Sequence, residues 1–198
     1  MVDPGERLRN TIVRTLSRPE VHRIHFICGT RTVTSSLFAA VIDRLHKKRV
    51  HIDNDPDDIG AGSEAQYSPD LNLFRFNSPF YGETDFEQAV IVHESVHAGF
   101  DVIGHGSRFL QIDDEPSGYL AESFFLLNLG YSFDEIRHVL PLQLAFTIAL
   151  NMRSNKKVSV SPDDLMFLRN GIARTRITRH GVDTRKGTDK DTYRGIPP

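Results

Sequence analysis

The chain is poor in cysteine, because Cys28 is the only one in 198 residues. A single thiol excludes an internal disulfide, and it also excludes a zinc site built from several cysteines. A metal site in this protein must therefore take its ligands from histidine and from the carboxylates of Asp and Glu.

Long apolar runs are also missing. No stretch of the sequence approaches the roughly 18 consecutive apolar residues of a membrane-spanning helix. Residues 1–16 carry charges throughout and lack the uninterrupted apolar segment of a signal peptide. We therefore expect a cytoplasmic protein without a membrane partner, while noting that export by a dedicated secretion machine needs no cleavable signal.

Charges of one sign do not dominate the sequence, whose net charge is -2 and whose pI is near 6.5. The net charge of the whole chain gives no electrostatic attraction for nucleic acid. The basic triplet at residues 47–49 is interpreted as a solvated helix end, and an interaction module that uses it is the lesser alternative. The acidic, glycine-rich residues 53–65 lack the residue order of a calcium loop. We expect no nucleic-acid partner.

The apolar fraction of 39% suits one compact domain with polar ends. Residues 1–175 are predicted to form that domain. From Arg174 onward the chain has seven Lys and Arg against three Asp and few large apolar residues, so residues 176–198 are predicted to be a flexible basic tail. The expected fold class is α+β, mainly helical, with a small mixed sheet or hairpin beside the central helix.

What the sequence does contain is the pentad His93-Glu94-Ser95-Val96-His97 inside the apolar segment 86–100. In a chain of this composition the pattern H-E-x-x-H is expected by chance only roughly 0.02 times. On a helix, positions i and i+4 lie on one face, so His93 and His97 can bind one ion, with Glu94 beside them. Two histidines and a carboxylate are unfavourable to bury without partners, and a metal ion supplies one.

Local patterns place the pentad among other elements. The capping box of Thr84 and Glu87 predicts the start of its helix, which is expected to end near Asp101 or Val102. Strands are predicted over residues 21–28 and 50–52, with a hairpin whose arms are 64–67 and 73–76. Further helices are predicted over residues 6–18, 35–49, 116–130, 133–152 and 162–174. Ser35 or Ser36 is predicted to cap the second of these helices, Pro116 to lie in the first turn of the third, and Ser132 to open the fourth. Pro141 is predicted to kink or divide the fourth helix, and Gly171 to break the last one.

A catalytic zinc normally takes three protein ligands, so the two histidines need a companion. The downstream candidates are Asp101, His105, Glu115 and Glu122. Asp101 would lie on the same helix as His97, and one straight helix does not easily surround an ion with three ligands. His105 does not match the spacing H-E-x-x-H-x-x-G-x-x-H.

The segments 93–97 (HESVH) and 114–123 (DEPSGYLAES) together resemble the gluzincin branch of the zincin metallopeptidases. In that branch the H-E-x-x-H helix is followed, about 20 residues on, by a Glu on a second helix. The resemblance covers about residues 64–130, and the hairpin looks like the edge strand that zincins place over the cleft. It implies a Zn²⁺ cofactor bound by His93, His97 and Glu115. Glu122 stays the alternative third ligand, because Tyr119 stands where the family has a further carboxylate.

The resemblance also implies hydrolysis of a peptide or protein substrate. Zinc would lower the pKa of its water toward about 7 and polarise the carbonyl, while Glu94 takes the water proton and passes it to the leaving amine. Candidates to stabilise the oxyanion are Tyr119, His105 and Tyr67, and candidates to orient a ligand histidine are Asp101 and Asp114.

The sequence therefore predicts a zinc-dependent metallopeptidase with Glu94 as general base. The alternative is a catalytically inactive zincin-like domain that binds or regulates a partner, including a protein related to effectors or toxins. The presence of Glu94 favours catalysis, because a purely structural metal site needs no base at that position.

Overall fold

The computed structural model describes residues 3–54, 64–104, 111–136 and 139–180, with the backbone alone described at 111–113 and 176–180. His105 and most of the acidic loop predicted over residues 53–65 lie outside the described residues. The same is true of residues 181–198, which form most of the predicted tail.

Helices dominate the described part of the chain, and this confirms the predicted mainly helical α+β fold. The α-helices are α1 (Pro4–Leu16), α2 (Pro19–His22), α3 (Ser35–His46), α4 (Asp85–Val102), α5 (Gln111–Leu129), α6 (Leu140–Ser154) and α7 (Pro162–His180). None of the described helices is both long enough and apolar enough to cross a membrane.

The strands are short and form two small sheets in the described residues. They are β1 (Phe26–Cys28), β2 (Arg31–Val33), β3 (His51–Asp53), β4 (Ala65–Ser68) and β5 (Leu73–Phe76). Strands β1 and β2 form an antiparallel hairpin, while the second sheet has the order β3-β5-β4, with β3 parallel and β4 antiparallel to β5. The predicted β4–β5 hairpin is confirmed, and β4 lies at the edge of its sheet.

Helix α4 is the centre of the core. Eleven of its 18 residues are buried, because α3 and α5 pack on it along most of its length and β4 covers another side. Gly99 allows the close approach of α3, since a Cβ at this position would lie 2.5 Å from Leu37 Cγ. His93, Ser95 and His97 are therefore held inside the core, as the apolar residues around them predicted, while Glu94 is partly buried.

The strand predicted over residues 21–28 is wrong in its first half. Pro19 opens the helical turn α2, and only Phe26–Cys28 is extended. The burial pattern explains the change: Val21 and Ile24 are buried three positions apart, as on a helix, while Phe26 and Cys28 are buried two apart, as on a strand.

Helix α3 confirms the predicted element but not its limits. Thr34 occupies the N-cap position in place of Ser35 or Ser36, and its hydroxyl pairs with that of Ser36. The helix ends at His46, because Lys48 takes a left-handed conformation with φ of 54° that ends the helical path.

Two proline predictions have opposite outcomes. Helix α5 begins at Gln111, so Pro116 lies inside it and not in its first turn, and Glu115 belongs to the helix. Buried packing from Asp114 to Leu127 outweighs the one backbone hydrogen bond that this proline removes. Pro141 divides the second segment as predicted, because Ser132 caps only a 3₁₀ turn (Phe133–Glu135) and α6 starts separately at Leu140.

The predicted break at Gly171 is wrong, because α7 continues through it to His180. A side chain at this position would clash with Leu144 of α6, so the glycine serves close helix packing and not helix termination. The helix consequently passes the boundary predicted at residue 175 by five residues.

Candidate metal centre

The start of α4 is fixed by the predicted capping box. Thr84 Oγ1 accepts from the Glu87 amide at 3.2 Å, and Glu87 Oε2 accepts from the Thr84 amide at 2.9 Å. With the helix anchored there, His93 and His97 fall on one face, with ring centroids 5.1 Å apart. Both side chains are buried, at 6% and 3% exposure.

Helix α5 brings Glu115 to these two rings. Its Oε2 lies 3.5 Å from His93 Nε2, and its Oε1 lies 3.9 Å from His97 Nε2. One donor atom from each of the three residues falls within 4.8 Å of the others, and all three residues are buried. The favoured third ligand of the sequence prediction is therefore in place beside both histidines.

Two of the donor separations can be compared with those of a tetrahedral zinc site. Zn–N and Zn–O bonds of about 2.0–2.1 Å at tetrahedral angles put neighbouring donor atoms about 3.3–3.4 Å apart. Both contacts of Glu115 are long for hydrogen bonds. The 3.5 Å from Oε2 to His93 Nε2 is close to that spacing, while the 3.9 Å from Oε1 to His97 Nε2 exceeds it by about 0.5 Å. Two imidazoles and one carboxylate also form a known donor set of catalytic zinc.

Glu122 occupies a different position from Glu115. Its Oε2 lies 3.2 Å from Nδ1 of His93, the ring nitrogen that faces away from Nε2. Glu122 is 5% exposed, so this contact is shielded from water. An acceptor on the second ring nitrogen fixes the tautomer and orientation of a ligand histidine. The geometry thus suits Glu122 for orienting His93, the role that the sequence analysis had considered for Asp101 and Asp114.

Between these two glutamates α5 lies directly against the His93 ring. A Cβ at Gly118 would be 2.7 Å from both Cδ2 and Nε2 of that ring, so only glycine permits this approach. Tyr119 packs edge-on against the same ring, with 4.6 Å between centroids. Sequence reasoning missed Gly118, whose only signal is a glycine between two glutamates of one predicted helix.

Glu94 is the most exposed member of the group, since its side chain is only partly buried. Its Oε2 accepts a 2.7 Å hydrogen bond from the backbone amide of Tyr67 on β4. Burial raises the pKa of Glu94 to about 7, while the neighbouring His93 opposes the rise. A carboxyl with a pKa near neutrality is suited to accept and return a proton.

The electrostatics of His93 follow from its carboxylate neighbours. Burial alone would lower the pKa of His93, but the carboxylates of Glu115 and Glu122 beside its two ring nitrogens and the nearby charge of Glu94 raise it well above its ordinary value. Three glutamates around one buried ring thus favour a cation at this place. A proton or a metal ion can fill that role.

The other predicted helper residues have identified partners. The hydroxyl of Tyr67 donates to Asp101 Oδ2 at 2.8 Å. Burial raises the pKa of Asp101 to about 6, although the Tyr67 hydroxyl acts in the opposite direction. Asp114 forms a buried ion pair with Arg31 Nε of β2 at 2.8 Å, which ties the helix turn that carries Glu115 to the β1–β2 hairpin.

Comparison with known proteins adds no family to this geometry: no protein-family model, curated protein or solved structure matches the chain.

Glu122→Gln is expected to raise the dissociation constant for zinc by about tenfold, the lower end of the range for residues that support a ligand. The glutamine oxygen can still accept from His93 Nδ1, but the negative charge is lost. Competition with a chromophoric chelator measures the change. Glu83→Gln, at a glutamate 63% exposed in a surface ion pair, is the matched control and should leave the constant unchanged. An affinity for zinc equal to that of the unmodified protein would contradict the orienting role.

Proposed function

We propose that the protein is a zinc-dependent peptidase. The observation that carries the proposal is the convergence of His93 and His97 of α4 with Glu115 of α5, whose ligand atoms lie within 4.8 Å of one another in the core, with Glu94 next to His93 on α4. The three residues would hold the metal, and Glu94 would stand beside it as the base.

A zinc ion held there would supply Lewis acidity, lowering the pKa of a water molecule toward about 7 and polarising a carbonyl group. Glu94 would accept the proton of the attacking water and deliver it to the amine that leaves. The Tyr67 amide holds one oxygen of Glu94, which leaves the other oxygen for the proton. Glu122, Gly118 and Tyr119 keep the His93 ring in a fixed orientation throughout.

The edge strand β4 supports a peptide as substrate. Glu64 O accepts from the Asn77 amide on the β5 side, so alternation along the strand turns the backbone groups of Ala65 and Tyr67 away from β5. An extended peptide would pair with the remaining outward groups, the Ala65 amide and the Ala65 and Tyr67 carbonyls, and would run beside Glu94, because the Tyr67 amide is bound to that carboxylate. Recognition through backbone hydrogen bonds also accommodates many side chains.

The arrangement agrees with the gluzincin resemblance of segments 93–97 and 114–123, with one departure. The carboxylate that orients the first histidine comes from Glu122, seven residues after Glu115 and two helical turns along α5. A zincin-like domain without catalytic activity remains the competing hypothesis, and it predicts metal binding without hydrolysis.

The test combines metal analysis with an unbiased cleavage assay. The full chain, freed of metal by chelation and reloaded, is expected to bind one equivalent of zinc and to cleave a proteome-derived peptide library read by mass spectrometry. Cleavage should stop with chelator, return with zinc, and be absent in His97→Ala. His51→Ala, at an exposed histidine on β3, is the matched control and should behave like the unmodified chain.

Two outcomes would contradict the proposal. A protein that takes up no metal at the His93 site would remove its basis. One equivalent of zinc without cleavage of any library peptide would support the non-catalytic binding domain instead.

A further inference from the structure

Tyr67 contacts helix α4 at two separate points. Its backbone amide donates to Glu94 Oε2 at 2.7 Å, and its side-chain hydroxyl donates to Asp101 Oδ2 at 2.8 Å. Glu94 and Asp101 are seven residues apart, which is two turns or about 10.5 Å along the helix. One residue of the edge strand thus spans the part of α4 that carries His97.

This pair of contacts matters because β4 has a single neighbour in its sheet among the described residues. An edge strand is held by hydrogen bonds on one side only, and its outward amides depend on other contacts to stay in place. The amide that binds Glu94 is one of these outward groups. The Tyr67 side chain is held at two places: its ring packs at a tilt on Phe74, with 5.1 Å between centroids, and its hydroxyl is bound to α4.

The environment of Asp101 is unusual for a residue that serves packing alone. The residue is 0% exposed, and its second oxygen, Oδ1, has no hydrogen-bond partner among the described residues. A buried carboxylate bound to a single hydroxyl is unfavourable, and a leucine or asparagine would fill the space without burying a charge. A carboxylate forms a stronger bond to the hydroxyl than a neutral acceptor does.

We propose that the Tyr67 hydroxyl and Asp101 form a positioning pair, which locks strand β4 against α4 and thereby holds the Tyr67 amide on the carboxylate of Glu94. Neither residue belongs to the three candidate metal ligands. The pair sets the orientation of the base and leaves the metal site as it is. Its consequence for catalysis rests on the proposed peptidase function, whereas its effect on the Tyr67 amide does not.

The amide of residue 67 reports on this pair directly, through hydrogen exchange followed by NMR in the metal-free and zinc-loaded chain. Tyr67→Phe and Asp101→Asn each remove the charged hydrogen bond with little change in volume, and each is expected to speed exchange at residue 67 by about tenfold. Amides of β5 that bond to β4 should keep their protection. Glu94→Ala gives the rate of an amide with no acceptor.

Tyr81→Phe is the matched control. Tyr81 is also 2% exposed, and its hydroxyl also donates to a carboxylate, Glu64 Oε2 at 3.2 Å. In the described structure it does not bridge to α4 through its backbone amide. This variant removes a comparable buried tyrosine bond. Exchange at residue 67 should stay within about twofold of the unmodified chain.

Zinc affinity and activity supply the second readout. Tyr67→Phe and Asp101→Asn should bind zinc within about threefold of the unmodified chain, since the ligands are untouched. Cleavage of a library peptide should lose about tenfold or more in kcat with little change in KM, because the base is misplaced while the metal remains. The double variant should lose no more than either single one, as expected for two residues that act as one unit.

Unchanged exchange at residue 67 in both single variants would overturn the proposal, and so would an equal loss of protection across β5, which indicates general loosening. If one variant fails to fold, the other decides. A chain that binds no zinc but shows faster exchange at residue 67 in these variants would contradict the peptidase function and leave the positioning pair standing.

Discussion

Glu94→Gln is expected to remove the proposed peptidase activity almost completely while leaving zinc binding intact. General acid–base catalysis contributes about 10²–10⁴-fold to such reactions, so kcat should fall by that factor. The amide oxygen of glutamine still accepts from the Tyr67 backbone, so strand β4 keeps its place beside α4. The histidines and Glu115 are untouched, and zinc stoichiometry should remain one. Single-turnover cleavage of a library peptide, with metal analysis of the same sample, measures both.

The control for this variant is Glu83→Gln, the same substitution at an exposed glutamate next to the start of α4. It should leave kcat and zinc content unchanged. Full activity of Glu94→Gln would show that another group accepts the proton, and the proposed role of Glu94 would then be wrong. Loss of zinc together with activity would instead place Glu94 among the ligands.

The elements predicted with success are those specified by neighbouring residues. The capping box of Thr84 and Glu87 encodes the start of α4 within four positions, and the apolar residues around His93 encode its burial. The β4–β5 hairpin likewise follows from two β-prone runs around a turn. Each of these signals is complete within about one or two turns of chain.

The errors arise where packing between distant segments overrides a local preference. Proline and glycine were interpreted as helix boundaries at Pro116 and Gly171, yet both lie inside helices. At Gly171 the missing side chain admits Leu144 of α6. Local sequence cannot distinguish a glycine that ends a helix from a glycine that lets a neighbouring helix approach, because the distinction lies in the partner.

In the candidate site, too, features specified by neighbouring residues could be predicted and contacts between distant segments could not. The pair His93 and His97 could be predicted, because their spacing alone puts them on one helix face. The contact of His93 with Glu122 spans 29 residues, and the ion pair of Arg31 with Asp114 spans 83. These contacts depend on the rotation of α5 about its axis, which no local pattern encodes. The sequence therefore could not show which of Glu115 and Glu122 lies beside both histidines.

Glu115→Gln is expected to weaken zinc binding far more than Glu122→Gln. The two substitutions are matched, because both glutamates are buried on α5, at 8% and 5% exposure, two turns apart. Zinc sites with four ligands contribute about 10–16 kcal/mol, so weakening one of them should raise the dissociation constant about 10²–10³-fold. Glu122→Gln, which removes the charge that orients His93, should raise the dissociation constant about tenfold.

Thermal unfolding at a single zinc concentration distinguishes the unmodified chain, Glu122→Gln and Glu115→Gln. The zinc concentration is set to 100 times the dissociation constant of the unmodified chain. Zinc should then add about 2.7 kcal/mol to the free energy of unfolding of the unmodified chain. It should add about 1.4 kcal/mol in Glu122→Gln and about 0.4 kcal/mol or less in Glu115→Gln. For a chain of this size these values correspond to rises in Tm of about 5–10 °C, 3–6 °C and 2 °C or less. The reverse order would make Glu122 the third ligand and Glu115 its support. Equal shifts in all three proteins would place the zinc elsewhere in the chain, because a site that includes either glutamate must respond to the loss of its charge.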